Sequence, residues 1–200
     1  MNLEEVSMRH RFLAIAVFVS VLCVPSWAAT YKVDAGHSAV TFKIKHLLSN
    51  VQGQFKEYSG TLDYEPGKPE LWKAEGTIKT ISIDTNEPKR DKHLQGEEFF
   101  DVEKYPTIDF KTTKVLEATE TGAKLEGLIS IHGVEKPIVL DVEIHGVGKD
   151  PWGTLRAGFT ATTKINRKDF GIVWNKALET GGFLVGDDVT ITLEIEAVQQ

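Results

Sequence analysis

Cysteine is almost missing from this chain, which contains one cysteine among 200 residues. That residue, Cys23, lies in an apolar run over residues 12–24, directly after the basic positions Arg9 and Arg11. The small residues Ser26 and Ala28 follow the run, and this order is typical of a secretory signal peptide. We therefore predict a signal peptide over residues 1–28 and one exported domain over residues 29–200. An uncleaved N-terminal anchor and a start at Met8 remain alternatives.

Loss of the signal would leave a domain without cysteine, which excludes disulfides, thiol catalysis and cysteine ligands for metals. Long apolar runs are missing as well. Residues 12–24 span 13 positions (24 − 12 + 1), whereas a membrane-spanning helix needs about 20. We expect export to the periplasm without stable membrane insertion.

An excess of positive charge is also missing, because 23 basic residues face 29 acidic ones and the formal net charge is −6. Such a chain is a poor binder of nucleic acid and of anionic membranes. The histidines form none of the HxH, HxxxH or HExxH spacings of metal sites, and neither a nucleophile elbow nor a glycine-rich phosphate loop occurs. His37 and Ser38 are adjacent and would point to opposite faces of a strand. The sequence therefore predicts no enzyme, no metal site and no cofactor.

What the chain does contain is regular alternation of apolar and polar residues, as in the run Val40, Phe42 and Ile44. Similar runs recur to the end of the chain with turn residues between them, and a change of register near Thr80 predicts a β-bulge. We predict an all-β fold of about eight antiparallel strands closed into a barrel, since closure removes exposed strand edges. A two-sheet sandwich is the main structural alternative.

One charged stretch, residues 84–111, interrupts the strand pattern. Asn86 is a suitable helix cap and Pro88 fits a first helical turn, while Gly96 interrupts the helix after about two turns. The sequence therefore predicts one short, two-part helical segment near residues 87–100, laid beside the barrel mouth.

The order and spacing of many short motifs make the chain resemble the YceI-like family of periplasmic, lipocalin-like polyisoprenoid-binding proteins. The matching positions are Asp34, His37, Ser38, Val40, Phe42, His46, Gly53, Phe55, Ser82, Ile83, Asp84, residues 90–94, Phe99, Asp101, Tyr105, Pro106, Phe110, and residues 127–137, 165–167, 169–171 and 185–187. The resemblance implies a lipocalin-like barrel with an apolar tunnel that binds a polyprenyl lipid or a quinone tail.

An isoprenoid chain is hydrocarbon, so its site requires a dry channel of apolar side chains rather than reactive groups. Inward strand positions, one aromatic residue of the charged stretch and two aromatic residues of a later loop are our candidates for that channel, although ordinary core packing explains them too. These residues are Phe42, Ile44, Ile78, Phe99, Phe110, Ile129, Phe159, Trp174 and Phe183.

Four polar residues are candidates for the lipid head group. Arg90 and His93 would share one helix face, His46 has the inward parity of its strand, and Arg167 precedes Asp169. A solvated helix face, a hydrogen-bonded core histidine and an Arg–Asp pair are the respective structural alternatives.

The main functional hypothesis is non-catalytic binding, storage or transport of a long isoprenoid lipid, a polyprenyl phosphate or a ubiquinone-type molecule. The alternative is an enzyme acting on such a lipid or on another small apolar substrate. The sequence leaves open the lipid, its head group, a delivery partner and whether the chain forms a homodimer.

Overall fold

The computed structural model describes residues 28–179 and 181–200. The predicted signal peptide, apart from Ala28, lies outside the described residues and stays a prediction. Among the described residues, no helix is long and apolar enough to cross a membrane.

Strands dominate the described chain, as the alternating pattern predicts. They are β1 (Ala29–Val33), β2 (Ala39–His46), β3 (Ser49–Phe55), β4 (Tyr58–Tyr64), β5 (Lys73–Lys79), β6 (Ile83–Asp84), β7 (Thr107–Ala118), β8 (Gly122–Ile131), β9 (Val134–Lys149), β10 (Leu155–Asn166) and β11 (Val185–Gln199). The helical elements are α1 (Pro88–Gln95) and three 3₁₀ turns, Pro69–Leu71, Thr80–Ser82 and Arg167–Phe170.

The strands close into an antiparallel barrel whose ring runs β1-β4-β5-β7-β8-β9-β10-β11 and returns to β1. The long strand β11 pairs with β10 on one side, and on the other side with β2 over its first part and β1 over its last part. β2 continues through β3 to the short strand β6. The prediction of an antiparallel, lipocalin-like barrel of about eight strands is confirmed.

The change of register near Thr80 is produced by a 3₁₀ turn, so the predicted bulge is wrong. Thr80 is fully buried, and its hydroxyl donates to the carbonyl oxygen of Tyr105 at 2.9 Å. The turn leaves Ile81 exposed and returns Ile83 to the core. A tight turn anchored by one threonine therefore replaces the bulge.

The predicted helical segment is only partly helical. Asn86 has φ +62 and does not cap α1; Glu87 does, since its Oε1 accepts from the backbone N–H of Lys89 at 3.1 Å. Pro88 is the first helical residue, as predicted, and the helix ends at Gly96. Residues 97–100 form turns instead of a second helical part, with the N–H of Phe99 bonded to the carbonyl of Gly96.

The two ends of the barrel differ. The helix end carries α1, the β2–β3 turn, the β8–β9 turn and the loop between β10 and β11. The opposite end carries residues 65–72, 119–121 and 150–154, together with the start of β1 and the end of β11. Two buried apolar clusters fill the interior, one toward each end.

Candidate functional site: an apolar barrel cavity

A cavity of about 410 Å³ lies inside the barrel, and apolar side chains make up most of its wall. Its volume falls within the range of small-molecule sites, roughly 300–1,000 Å³. The wall forms because inward positions alternate along each strand; in the β10–β11 pair, for example, Phe159 faces Ile195 and Ala161 faces Leu193. The interior is therefore an apolar chamber as well as a packed core.

Eight of the nine predicted channel residues line this cavity. They are Phe42, Ile44, Ile78, Phe99, Phe110, Ile129, Phe159 and Trp174. Six lie on strands at inward positions, Phe99 follows α1, and Trp174 lies in the loop between β10 and β11. The structure shows that these side chains surround one space; that they contact a ligand remains a prediction.

Phe183 is the exception, because it does not line the cavity and is 63% exposed. It forms an isolated β-bridge with Ala177, and the Nζ of Lys168 lies 5.6 Å from its ring centroid. The bridge fixes the loop so that the ring points out of the barrel. Loop residues lack the periodicity that identifies inward strand positions.

Aromatic rings line the helix end of the cavity. The ring of His93 meets those of Phe99 and Trp174 nearly perpendicularly, with centroids 4.9 and 5.0 Å apart. Deeper in the chamber, Phe55 contacts both Phe42 and Phe100. These residues come from β2, β3, α1 and two loops, so the entrance is assembled from separate parts of the chain.

A second aromatic group closes the opposite end. The Tyr64 ring contacts Trp72 and Phe159, with both centroid distances at 5.0 Å. Trp72 donates its indole N–H to the carbonyl of Glu65 at 2.7 Å. Burial raises the pKa of Tyr64, with a smaller contribution from Tyr31. Neither Tyr64 nor Trp72 was among the predicted channel residues, although the alternation of Leu62 with Tyr64 and of Trp72 with Ala74 could have identified both rings as inward.

Arg90, His93 and His46 bring polar groups to the helix end of the cavity wall. Arg90 donates its Nε–H to the hydroxyl and its Nη2–H to the carbonyl of Thr85, each at 2.7 Å. Asp91 binds the N–H and hydroxyl of the same threonine. His93 lies 2.7 Å from a carboxylate oxygen of Glu98. Two donors of Arg90 are thus committed to Thr85, which fixes the guanidinium beside the cavity.

Arg167 also lines the cavity, but its contacts hold the loop between β10 and β11. It is 4% exposed and donates to the carbonyls of Gly186, Ile172 and Trp174 at 2.8–2.9 Å. Its Nη2 lies 3.4 Å from Asp187. Burial lowers the pKa of the Arg167 guanidinium, and the charge of Asp187 partly opposes this. These contacts favour a structural role over the predicted contact with a head group.

A second charged cluster lies outside the cavity. Among the described residues, Asp34, His37 and Glu196 form the group with metal-like spacing, their ligand atoms lying within 4.8 Å of one another. Arg156 bonds both Asp34 and Glu196, at 2.8 and 2.6 Å, and supplies the positive charge between them. Hydrogen bonds from Arg156 and then from His37 lower the pKa of Asp34 to about 2. The cluster joins the β1–β2 linker to β10 and β11.

Comparison with known proteins agrees with this architecture. The model of the YceI-like domain matches residues 31–197. The chain belongs to the YceI-like family. A UPF0312 protein of Pseudomonas savastanoi pv. phaseolicola is 41% identical over 169 residues, which cover 82% of this chain and 88% of the relative. The resemblance noted from the sequence motifs is thereby confirmed.

Solved structures place this member of the YceI-like family among similar barrels. The Campylobacter jejuni YCEI protein is 39% identical, covers 78% of this chain and 90% of its own, and has a TM-score of 0.68. A polyisoprenoid binding domain from Saccharophagus degradans, implicated in plant cell wall breakdown, covers 86% of this chain and 99% of its own. Its TM-score is 0.64 at 14% identity, so this likeness shows the fold alone.

Proposed function

We propose that the protein binds one long-chain isoprenoid lipid, non-covalently and without catalysis, as a periplasmic carrier or store. The observation that carries the proposal is the apolar chamber of about 410 Å³ inside a closed barrel. Membership of the YceI-like family and the barrel shared with a polyisoprenoid binding domain support it.

The energetics suit a hydrocarbon ligand. Removing a CH₂-sized group from water contributes about 0.8 kcal/mol, so a five-carbon isoprene unit contributes about 4 kcal/mol before the costs of ordering. Several units would therefore suffice for tight binding without any polar contact. The wall offers what such a ligand needs, branched aliphatic side chains and rings such as Ile129 and Phe110.

The polar residues at the helix end suit a single head group. Thr85 holds Arg90 beside the cavity, so the long side chain is already ordered before a ligand binds. A guanidinium binds a phosphate strongly through charge-assisted hydrogen bonds, and a quinone carbonyl more weakly. His93 and His46 lie at the same end and would complete the polar contacts.

The hydroxyl groups that lie beside histidines favour binding over catalysis. On the outer wall, Thr160 donates to Glu194 at 2.6 Å, so its oxygen accepts from His145 at 2.8 Å and His145 cannot act there as its base. Ser38 bonds the backbone of Glu196 through both its donor and its acceptor. The Thr160 hydroxyl joins β10 to β11, and the Ser38 hydroxyl joins the β1–β2 linker to β11.

Filling the cavity tests the proposal. Gly76 lines the wall, and a Cβ added there would meet no atom closer than 3.4 Å. Gly76→Leu should therefore enter the chamber and reduce the lipid that co-purifies with the protein, as measured by native mass spectrometry. Lys111→Leu places the same side chain on the exposed face of β7 and should leave the lipid content unchanged. Equal lipid content in both variants would contradict binding in the chamber.

A further inference from the structure

The turn between β2 and β3 consists of two leucines, which are unusual residues for a tight hairpin turn. Leu47 has φ +50, and Leu48 is 95% exposed. A bulky residue at positive φ is strained, and such turns normally use Asn, Asp or Gly. The β8–β9 turn of the same barrel uses His132 at φ +52 and Gly133 at φ +74, and both residue types adopt positive φ more readily than leucine does. The fold alone therefore gives no reason for the two leucines.

The leucines belong to a larger exposed apolar group at the helix end. The N–H of Leu47 donates to the carbonyl of Leu184, which lines the cavity and follows the exposed Phe183. Val173, in the same loop, is 62% exposed. We call Leu47, Leu48, Val173 and Phe183 the apolar rim. Through the hydrogen bond from Leu47 to Leu184, the rim lies next to the chamber wall at the helix end.

The hairpin that carries the leucines is locally cationic in an acidic protein. Residues 35–56 contain no aspartate or glutamate, although the whole chain has a formal charge of −6. Lys43 and Lys45 are exposed, and neither is in a salt bridge among the described residues. The carboxylates that follow in β11 already have partners, since Asp187 pairs with Arg167 and Lys168 and Asp188 pairs with Lys164. The loop adjoining the hairpin contributes one lysine and one glutamate, Lys176 and Glu179, which offset each other.

We propose that the helix end docks on an anionic phospholipid bilayer, with the apolar rim in the acyl boundary and Lys43 and Lys45 among the head groups. This inference rests on the proposed function, since a water-insoluble isoprenoid must enter and leave the chamber through a lipid surface. Apolar side chains flanked by lysines bind anionic bilayers by burial and by electrostatic attraction together. The overall negative charge predicts weak binding. Glu97, Glu98 and Glu103 are exposed beside α1 at the same end, so the docked surface is confined to the side of this end that carries the β2–β3 hairpin.

Vesicle flotation with the protein in the form in which it accumulates in the cell tests the proposal. Vesicles of phosphatidylglycerol and phosphatidylcholine should carry the wild type, and the double variant Leu47→Asn/Leu48→Ser should partition at least about tenfold more weakly. Asn tolerates positive φ, so this variant should melt no lower than the wild type. Lys43→Gln/Lys45→Gln should bind about tenfold more weakly to these anionic vesicles. Its binding to vesicles of phosphatidylcholine alone should equal that of the wild type.

The control is Trp152→Ser, which removes a side chain that is 85% exposed at the opposite end and should leave flotation unchanged. Leucine variants that float within twofold of the wild type, or a wild type that does not float, would overturn the proposal. Native mass spectrometry of the same preparations separates the two claims. A barrel empty in every variant would contradict the proposed function, whereas a loaded variant that no longer floats supports docking.

Discussion

Arg156 binds Asp34 across 122 positions of the chain, with Nη1 and Oδ2 2.8 Å apart. The same guanidinium contacts Glu196 in β11 and Asp150 in the turn before β10. One side chain therefore ties the β1–β2 linker to the last strand, at the place where β11 changes partner from β2 to β1. Closure of the barrel depends on this exchange of partners.

Low pH should weaken the ion pair between Asp34 and Arg156. The pKa of Asp34 is about 2 in the folded protein against an ordinary value of 3.8, so its charge stabilises the fold above about pH 4. That stabilisation should be lost as the pH falls from 4 to 2. In urea unfolding over pH 2–6, Asp34→Asn should be less stable than the wild type above pH 4 and should change less between pH 4 and 2. Glu120→Gln, an exposed carboxylate between β7 and β8, is the control. Parallel pH profiles for Asp34→Asn and the wild type would contradict the assignment.

Gly76, which lines the cavity, and Gly127, which is buried in β8, should respond differently to an added methyl group. At Gly127 a Cβ would lie 2.4 Å from the Phe110 ring and 2.7 Å from the carbonyl of Lys111, whereas at Gly76 it would have room. We expect Gly127→Ala to lower the free energy of unfolding by about 1–3 kcal/mol. Gly76→Ala should raise it by about 0.5 kcal/mol, because glycine is unfavourable within a strand. Urea unfolding measures both changes. Equal effects would show that the close contact with the Phe110 ring does not lower the free energy of unfolding.

Arg167 should matter for stability more than for the ligand. Arg167→Met leaves the buried carbonyl of Ile172 and the part-buried carbonyls of Gly186 and Trp174 without their donor, while Asp187 keeps its pair with Lys168. We expect a loss of about 1–3 kcal/mol in the free energy of unfolding, the cost of leaving buried acceptors unsatisfied. Lys164→Met removes an exposed ion pair with Asp188 and should cost less than about 1 kcal/mol. A stable Arg167→Met protein that has lost its ligand would restore the head-group role predicted from the sequence.

Arg90 should distinguish between head groups. Arg90→Gln removes a charged donor beside the cavity, so the Kd for a polyprenyl phosphate should rise about tenfold or more. The Kd for the corresponding uncharged polyprenol should change little. Lys92→Gln, an exposed change on the same helix, should affect neither ligand. If Arg90→Gln weakens both ligands equally, the residue shapes the entrance without binding phosphate.

The alternation of apolar and polar residues predicted most of the fold and much of the cavity wall. Alternation identified Phe42, Ile78 and Phe159 as inward, because a strand turns every second side chain to the same face. The alternation could not predict the direction of the Phe183 side chain, because Phe183 lies in a loop, where side chains do not alternate regularly. It also could not separate Arg167 from Arg90, since the burial of a charged side chain depends on loops that meet only in the folded barrel.

Contacts between residues far apart in the chain could not be predicted from the sequence either. The Asp34–Arg156 pair joins segments 122 positions apart, and the only sequence signal was that Asp34 belongs to a family motif. The cap of α1 was misplaced by one residue. Asn86 is the preferred cap type, but its backbone has φ +62 and the helix starts after Glu87, which sequence preference alone does not indicate. Near Thr80, a bulge and a 3₁₀ turn produce the same shift of the apolar pattern.

The most direct test of lipid binding inside the barrel is organic extraction of the folded protein, purified in the form in which it accumulates in the cell, followed by mass spectrometry. We predict one prenyl lipid per protein, released on unfolding and displaced by Gly76→Leu. Its head group would show whether Arg90 meets a phosphate or a quinone. A monodisperse, stable protein that releases no lipid would contradict the account and would mark the chamber as structural.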